Sequence, residues 1–404
     1  MKVLLVSETL ETGGAETFVI RLANALAVRH QVIVAVMHGD RIQPQLAGQL
    51  DAQVRLERLR LPAERWLWRF DRLLRQARID AAIIRSLQRR WLRGLIAREQ
   101  PDVVHSHLLK ADRLAAEARS AAPRRPRHVV TLHGDYRPYL QGHADPQMLH
   151  AERWIGRVLQ SADAIVGVAR EHVEHLSSVH PEARGKLQLI YNGYPEPRPA
   201  SAIDPPLPTG KFVFGLVSRG VEQKGWALAV EAFAKLGREN AALVLVGEGP
   251  AIERLRRRSL QGVIFTGFAA RPTDFIARFN VCLLPTLFPH ESLPTAIIEY
   301  LAFGKPVIAT DVGEIGTMLK APGGRLAGCL LPFDGTSIQV AELIAAMRRL
   351  MDSPEDRAEM AQAASAAFER FAMPKCVAAY EQLYGVEDQA GALPVKPPAR
   401  RSLL

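Results

Sequence analysis

Short apolar runs alternate with longer amphipathic stretches over most of the chain. In the first half the runs fall at residues 3–6, 32–36, 103–104, 129–132, 164–168 and 187–191, rich in Val, Leu, Ile and Ala. Runs of this length between polar residues predict buried strands. Between them, residues 16–29 place Phe18, Leu22 and Leu26 at helical spacing, and residues 67–98 show the same period. Residues 193–210 break the pattern with six prolines, which fit neither a helix nor a central strand. That stretch reads as a linker. The alternation then restarts, with strands predicted at 212–217, 243–246, 263–265, 281–284 and 307–309. Helices are predicted at 227–236, 251–260, 294–302, 342–352, 354–371 and 376–383. The pattern predicts two doubly wound α/β domains, residues 1–192 and 211–371, each with a parallel sheet. Residues 390–404, with Pro394, Pro397 and Pro398 beside Arg400 and Arg401, read as a disordered tail. Open parallel sheets bind ligands beyond the carboxyl ends of their strands. Two such domains facing each other share one cleft, and residues just after strands are the candidates.

Composition excludes several classes. With 48% hydrophobic and 23% charged residues among 404, the chain has enough apolar material to fold. Cys282, Cys329 and Cys376 are odd in number and far apart, which argues against a disulfide framework or zinc site and fits a reducing compartment. No apolar run reaches the ~18 residues of a membrane span. Residues 1–6 turn polar at Ser7 and Glu8, too soon for a signal-peptide core. A cytoplasmic location is expected.

The net charge of +10 is unevenly spread: residues 55–98 hold 13 Arg and only four acids. Trp66, Leu67, Trp68, Phe70, Leu73 and Trp91 interleave with these cations. The segment fits an anionic membrane surface, and a peripheral location on the inner face of the membrane, as well as it fits an amphipathic helix packed on a sheet. Both readings stand. No nucleic-acid recognition motif accompanies the charge, so no nucleic-acid partner is expected.

Candidate chemistry clusters after the predicted strands. Gly13 and Gly14 open the first helix, where backbone N–H groups and the helix dipole favour an anion. A plain tight turn explains them equally well, and the dinucleotide GxGxxG is absent. Arg219 and Lys224 follow the strand at 212–217 and suit a diphosphate, through a bidentate guanidinium and a compact ammonium. A solvated surface pair is the alternative. Glu291-Ser292-Leu293-Pro294-Thr295 leads to Glu299, two carboxylates eight residues apart, with Pro294 suited to a helix N1 position. Gly313 would permit close backbone approach to a ligand, or is an ordinary turn glycine. His133 follows the strand at 129–132 and suits sugar hydroxyls or proton transfer. His105 reads as structural. A metal at His105, His107 and His133 lacks HExxH or an acidic companion, so no metal is expected.

In this order and spacing the motifs resemble a retaining glycosyltransferase of family 4 (glycosyl transferases group 1), over residues 1–385. The likeness rests on Gly13-Gly14-Ala15-Glu16, Asp102 to His107, Leu132-His133-Gly134, and Arg219 with Lys224-Gly225. It extends to Val246 to Pro250, Glu291 with Glu299, and Ala302 to Gly313. The resemblance implies a GT-B fold: two facing Rossmann-like domains with an interdomain cleft, and a helix at about 374–385 crossing back to the first domain. It implies that Arg219 and Lys224 bind the donor diphosphate and that Glu299 holds the ribose hydroxyls. Glu291 would contact the donor sugar or stabilise the developing cation, with His133 beside the reacting sugar. Gly14 would let backbone approach the donor, and the turn of Ser292, Leu293, Pro294 and Thr295 would offer N–H groups to phosphate. UDP is the commonest base among similar proteins, and the acceptor is a saccharide or lipid-linked molecule of cell-surface polysaccharide or lipopolysaccharide synthesis. Thr317 stands where similar sequences usually carry an acid. The alternatives are a GT-B-fold sugar-nucleotide epimerase and a catalytically silent sugar-nucleotide-binding protein. A dinucleotide oxidoreductase is disfavoured because Gly247-Glu248-Gly249 lacks the third glycine.

Overall fold

A computed structural model describes all residues except 12, 62–65, 68, 71–72, 75–82, 121, 123, 135, 137–150, 199–201, 258–259 and 387–404, and except the side chains of 152 and 153. The first sheet contains β1 (Lys2–Ser7), β2 (Gln31–Val36), β3 (Arg55–Arg58), β4 (Val103–His107), β5 (Arg127–Leu132), β6 (Ala164–Gly167) and β7 (Leu187–Leu189). All pair in parallel, in the order β3-β2-β1-β4-β5-β6-β7. The second contains β8 (Phe212–Val217), β9 (Ala241–Val246), β10 (Val263–Gly267), β11 (Val281–Leu284), β12 (Val307–Thr310) and β13 (Gly328–Leu331), also parallel, in the order β10-β9-β8-β11-β12-β13. Helices cover both faces of each sheet, so the central strands β1, β4, β8 and β11 are buried almost throughout, as their unbroken apolar runs require.

Each order reverses once, between β1 and β4 and between β8 and β11. Loops after strands at such reversals diverge and leave a crevice. Residues 13–14 lie after β1, Arg219 and Lys224 after β8, and Glu291 after β11.

The helix Met373–Tyr384 buries Met373, Cys376, Val377, Tyr380, Leu383 and Tyr384 in the core of the first sheet, together with Phe18, Leu22 and Leu26. Residues 193–210 hold no helix among the described residues and only a single bridge, Tyr194 to Ala372. There the outgoing and returning segments run side by side, with Tyr194 N–H donating to the Phe371 carbonyl at 2.7 Å and Met373 N–H to the Tyr194 carbonyl at 2.9 Å.

Several sequence expectations need correction. The strand Arg55–Arg58 was missed because its four residues, RLER, are three-quarters charged at a sheet edge. Gly328–Leu331, the other unforeseen strand, begins with a glycine that a Cβ would drive to 1.8 Å from the Val307 carbonyl oxygen. The helix expected over 354–371 ends at Phe368 and tightens to a 3-10 turn at Glu369–Phe371. Pro294 occupies the N-cap, extended at φ −65° and ψ 116°, and the helix is Thr295–Ala302. Of the helix expected over 67–98, the described element is Ile83–Glu99. The expected tail at 390–404 lies outside the described residues.

Candidate active site

A cavity of about 860 Å³ lies between the carboxyl ends of the two sheets. Gly13, Gly14, Thr17, Gln43, Gln45 and His133 line it from the first domain. Arg219, Lys224, Glu248, Glu291, Leu293, Pro294, Thr295 and Glu299 line it from the second. Nearly every residue singled out in the sequence therefore meets in one space. Among the residues assigned to donor binding or catalysis, Ser292 is the exception. Its hydroxyl is buried against His172 Nε2 of the first domain at 2.9 Å and does not line the cavity.

Lys224 ends a 3-10 turn at Glu222–Lys224, and its ammonium meets Glu291 Oε2 at 2.5 Å. Thr286 Oγ1 donates to the same oxygen at 3.1 Å. The cation and carboxylate assigned to different parts of a ligand thus neutralise each other. Arg219 is exposed and makes no ion pair among the described residues, which leaves its guanidinium free for a ligand. Gly313 supports Glu291 from behind: at φ +56° its Cβ would stand 1.6 Å from the Glu291 carbonyl oxygen. Its close approach is to this backbone, so the ligand role considered for Gly313 gives way to a packing role.

Gly13 is the N-cap of the helix Gly14–Ala27, with no side-chain cap, so the first amides of the helix stay available at the cavity. A Cβ on Gly14 would lie 3.0 Å from Thr295 Oγ1, so this glycine lets the two domains' helix starts approach. Three further hydrogen bonds cross between the domains. Arg21 donates to Glu299 Oε1 at 2.8 Å, and Glu314 accepts from the Arg170 backbone N–H and from Tyr191 Oη.

Two family descriptions cover most of the chain. The one for Glycosyltransferase Family 4 matches residues 12–196, and the one for Glycosyl transferases group 1 matches residues 211–353. The chain belongs to the family 4 glycosyltransferases. Its fold is GT-B. It is similar to the putative teichuronic acid biosynthesis glycosyltransferase TuaC of Bacillus subtilis, 29% identical over 60% of this chain and 59% of that protein. It is also similar to the 2-deoxystreptamine glucosyltransferase of Streptomyces kanamyceticus, 34% identical over 36% of this chain and 38% of that one. These matches span about 60% or less of the relatives' own lengths. Among solved structures, Anabaena HepE in complex with UDP superposes with a TM-score of 0.68 at 18% identity, over 95% of this chain and all of that one, a likeness of fold.

Behind the first-domain wall of this family 4 member stands a stack of rings, of which His133 reaches the cavity. His133 Nε2 lies 3.0 Å from His107 Nδ1, with the two rings stacked at 5.2 Å. His107 packs on His105 at 4.1 Å between ring centroids. His105 bonds Tyr384 Oη and Thr131 Oγ1, each at 2.7 Å, and Tyr380 Oη meets Thr131 Oγ1 at 2.9 Å. The returning helix thus braces the histidines from below. Burial pushes His105 and His107 well below the ordinary imidazole range and His133 down to about 3. His133 meets a ligand as an uncharged imidazole at neutral pH. Of the histidines weighed as metal ligands, His107 and His133 share one hydrogen bond and His105 is held by Tyr384 and Thr131, while the buried His107 Nε2 has no hydrogen-bond partner among the described residues. No group of three or more metal-ligating side chains is arranged for a metal among the described residues.

Sequence reasoning missed Arg21, Gln43 and Gln45. Arg21 had a signal: it lies seven residues after Gly14, on the same helix face two turns on. The two glutamines had none, because the loop after β2 carries no motif.

Proposed function

We propose that this protein transfers a sugar from a nucleotide-diphosphate donor to a saccharide or lipid-linked acceptor of cell-surface polysaccharide or lipopolysaccharide synthesis, with retention of anomeric configuration. The carrying observation is the single cleft in which Arg219, Lys224, Glu291 and Glu299 face Gly13, Gly14 and His133. UDP is the proposed base, in keeping with the UDP complex of the Anabaena protein. Arg219 and Lys224 take the diphosphate, assisted by backbone N–H groups at Gly14, Leu293 and Thr295. Glu299 takes the ribose hydroxyls.

The bond from the anomeric carbon to the β-phosphate oxygen breaks, and its electron pair goes to that oxygen. Arg219 and Lys224 stabilise the growing negative charge, which is electrostatic preorganisation and needs no metal. When diphosphate draws Lys224 toward itself, Glu291 is left facing the sugar and the positive charge developing there. Neutral His133 contributes hydrogen bonding without adding repulsion to that cation. The acceptor hydroxyl attacks from the face the leaving group departs, and its proton passes to the leaving phosphate oxygen.

The acceptor side is proposed to lie against an anionic membrane surface. Trp66, Phe70 and Leu73 are exposed within the Arg-rich segment, Trp66 by 71%. No helix among the described residues is long and apolar enough to cross a membrane. The proposed contact is peripheral and on the cytoplasmic side. Sedimentation with anionic vesicles tests this, and binding that high salt does not weaken would remove it. Thermal shift with UDP- and GDP-sugars, followed by transfer assays with retention read by NMR, tests the main proposal. Epimer release from a UDP-sugar without acceptor would overturn it.

A further inference from the structure

The second carboxylate of the cleft, Glu299, is not held by its own domain. It projects from the second turn of the helix Thr295–Ala302, and its partner is Arg21 from the facing helix, Nη2 to Oε1 at 2.8 Å. Both side chains are mostly removed from solvent, 20% exposed for Arg21 and 8% for Glu299. Oε2 of Glu299 accepts no hydrogen bond from the described residues, and Glu299 lines the cavity. Arg21 is fixed from a second side. Its guanidinium carbon lies 4.3 Å above the ring centroid of Tyr194, the residue bridged to Ala372 where the two interdomain segments run together. A guanidinium stacked on an aromatic face keeps its N–H edge free and pre-aimed.

We infer that Arg21 is a positioning residue for the donor nucleotide: it holds one oxygen of Glu299 so that the other is presented to the ribose hydroxyls. The inference rests on the reading of Glu299 as the ribose ligand. It adds that the ribose pocket is completed across the domain boundary. Glu299 is correctly aimed when the helix Gly14–Ala27 stands against the helix Thr295–Ala302, as the Gly14–Thr295 approach has it. An ionised carboxylate with one oxygen held by a guanidinium remains a strong acceptor at the other. Without Arg21, Glu299 can rotate, and the ribose must orient it at the cost of side-chain entropy.

Isothermal titration of UDP against 2′,3′-dideoxyuridine diphosphate tests this, with the GDP pair used should UDP not bind. The wild-type protein is expected to prefer the ribonucleotide about tenfold or more, as for hydrogen bonds to a charged acceptor. Arg21→Met and Glu299→Gln are each expected to shrink that preference to about twofold, with thermal unfolding confirming folded protein. Should Arg21→Met fail to fold, Arg21→Gln carries the same expectation. Loss of preference in Glu299→Gln with full preference in Arg21→Met overturns the inference and leaves the reading of Glu299 intact. Full preference in both, or none in the wild type, overturns that reading and the inference with it. An equal fall in affinity for both nucleotides in Arg21→Met gives Arg21 a purely structural role and also overturns it.

Discussion

The wall contributed by the second domain carries its functional groups as formal charges on the segments that follow β8 and β11: Arg219, the Lys224–Glu291 pair, and Glu299 in the helix Thr295–Ala302. The wall contributed by the first domain presents one imidazole, His133, backed by the buried His107 and His105 at the end of β4, all lowered by burial. Eleven of the twelve histidines lie before residue 193, and the second domain has His290 alone. A diphosphate needs cations that reach it. A developing sugar cation needs a facing wall that adds no charge of the same sign. The division of labour follows from where each side chain starts: loops after β8 and β11 can expose a charge, whereas strand ends beneath the returning helix cannot.

The charged wall is the place to look for the largest effect. Lys224→Ala and Glu291→Ala are each expected to lower transfer by about two orders of magnitude or more, on the scale of losing one oxyanion donor. Steady-state assays with saturating acceptor check this. Normal turnover in both would move the chemistry away from this wall.

The neutral wall is better broken with pH. His38 is pushed down to about 4 and His128 and His133 to about 3, with burial the first cause, and His105 and His107 are lowered as well. Between the ordinary value of 6.5 and these folded values the unfolded chain binds more protons. Stability therefore falls as pH drops below 6.5, by up to about 1.4 kcal/mol per pH unit for each histidine. In the second domain burial raises Cys282 and Tyr300 further above this window. Acid opening is expected to begin in the first domain, as hydrogen exchange at pH 5 would read. Earlier loss of protection in the second domain would contradict the comparison.

Asp112 acts in the opposite direction in the same domain. It is fully buried, accepts from Tyr136 Oη at 2.9 Å, and is raised by burial to about 8 from 3.8. Its contribution is complete below pH 3.8, declines as pH rises through 8, and has a slope of about 1.4 kcal/mol per unit between. With the histidines setting the acid limb, maximum stability is expected near pH 6.5. Asp112→Asn is expected to flatten the alkaline limb, in denaturant midpoints measured from pH 6 to 9. An alkaline limb of unchanged slope would remove Asp112 from the account.

The two walls differed just as much in how far the sequence revealed them. Second-domain site residues sit in loops marked by Gly, Pro and isolated charges, local signals that survive without a structure. First-domain contacts depend on sheet register. His107 lies opposite Thr131, which brings His133 two residues further on within reach, and no local pattern predicts that pairing. Arg21 was legible as a helix-face residue, but its partner lies 278 positions away. Both sheets were legible because parallel strands buried on two faces must be apolar runs. The edge strand Arg55–Arg58 was not, since an edge tolerates charge.

Ser292 marks the seam between the walls and gives the smallest expected effect. Its sequence position, next to Glu291, suggests a donor contact, yet its hydroxyl is bonded to His172 Nε2 and both side chains are buried. Ser292→Ala removes one buried hydrogen bond joining the domains, at a cost of about 1 kcal/mol in stability. Because the hydroxyl does not reach the cavity, kcat and donor KM are expected to stay within about twofold of wild type. Denaturation midpoints and steady-state kinetics on one preparation separate the two roles. A tenfold rise in donor KM with an unchanged midpoint would return the Ser292 hydroxyl to the charged wall.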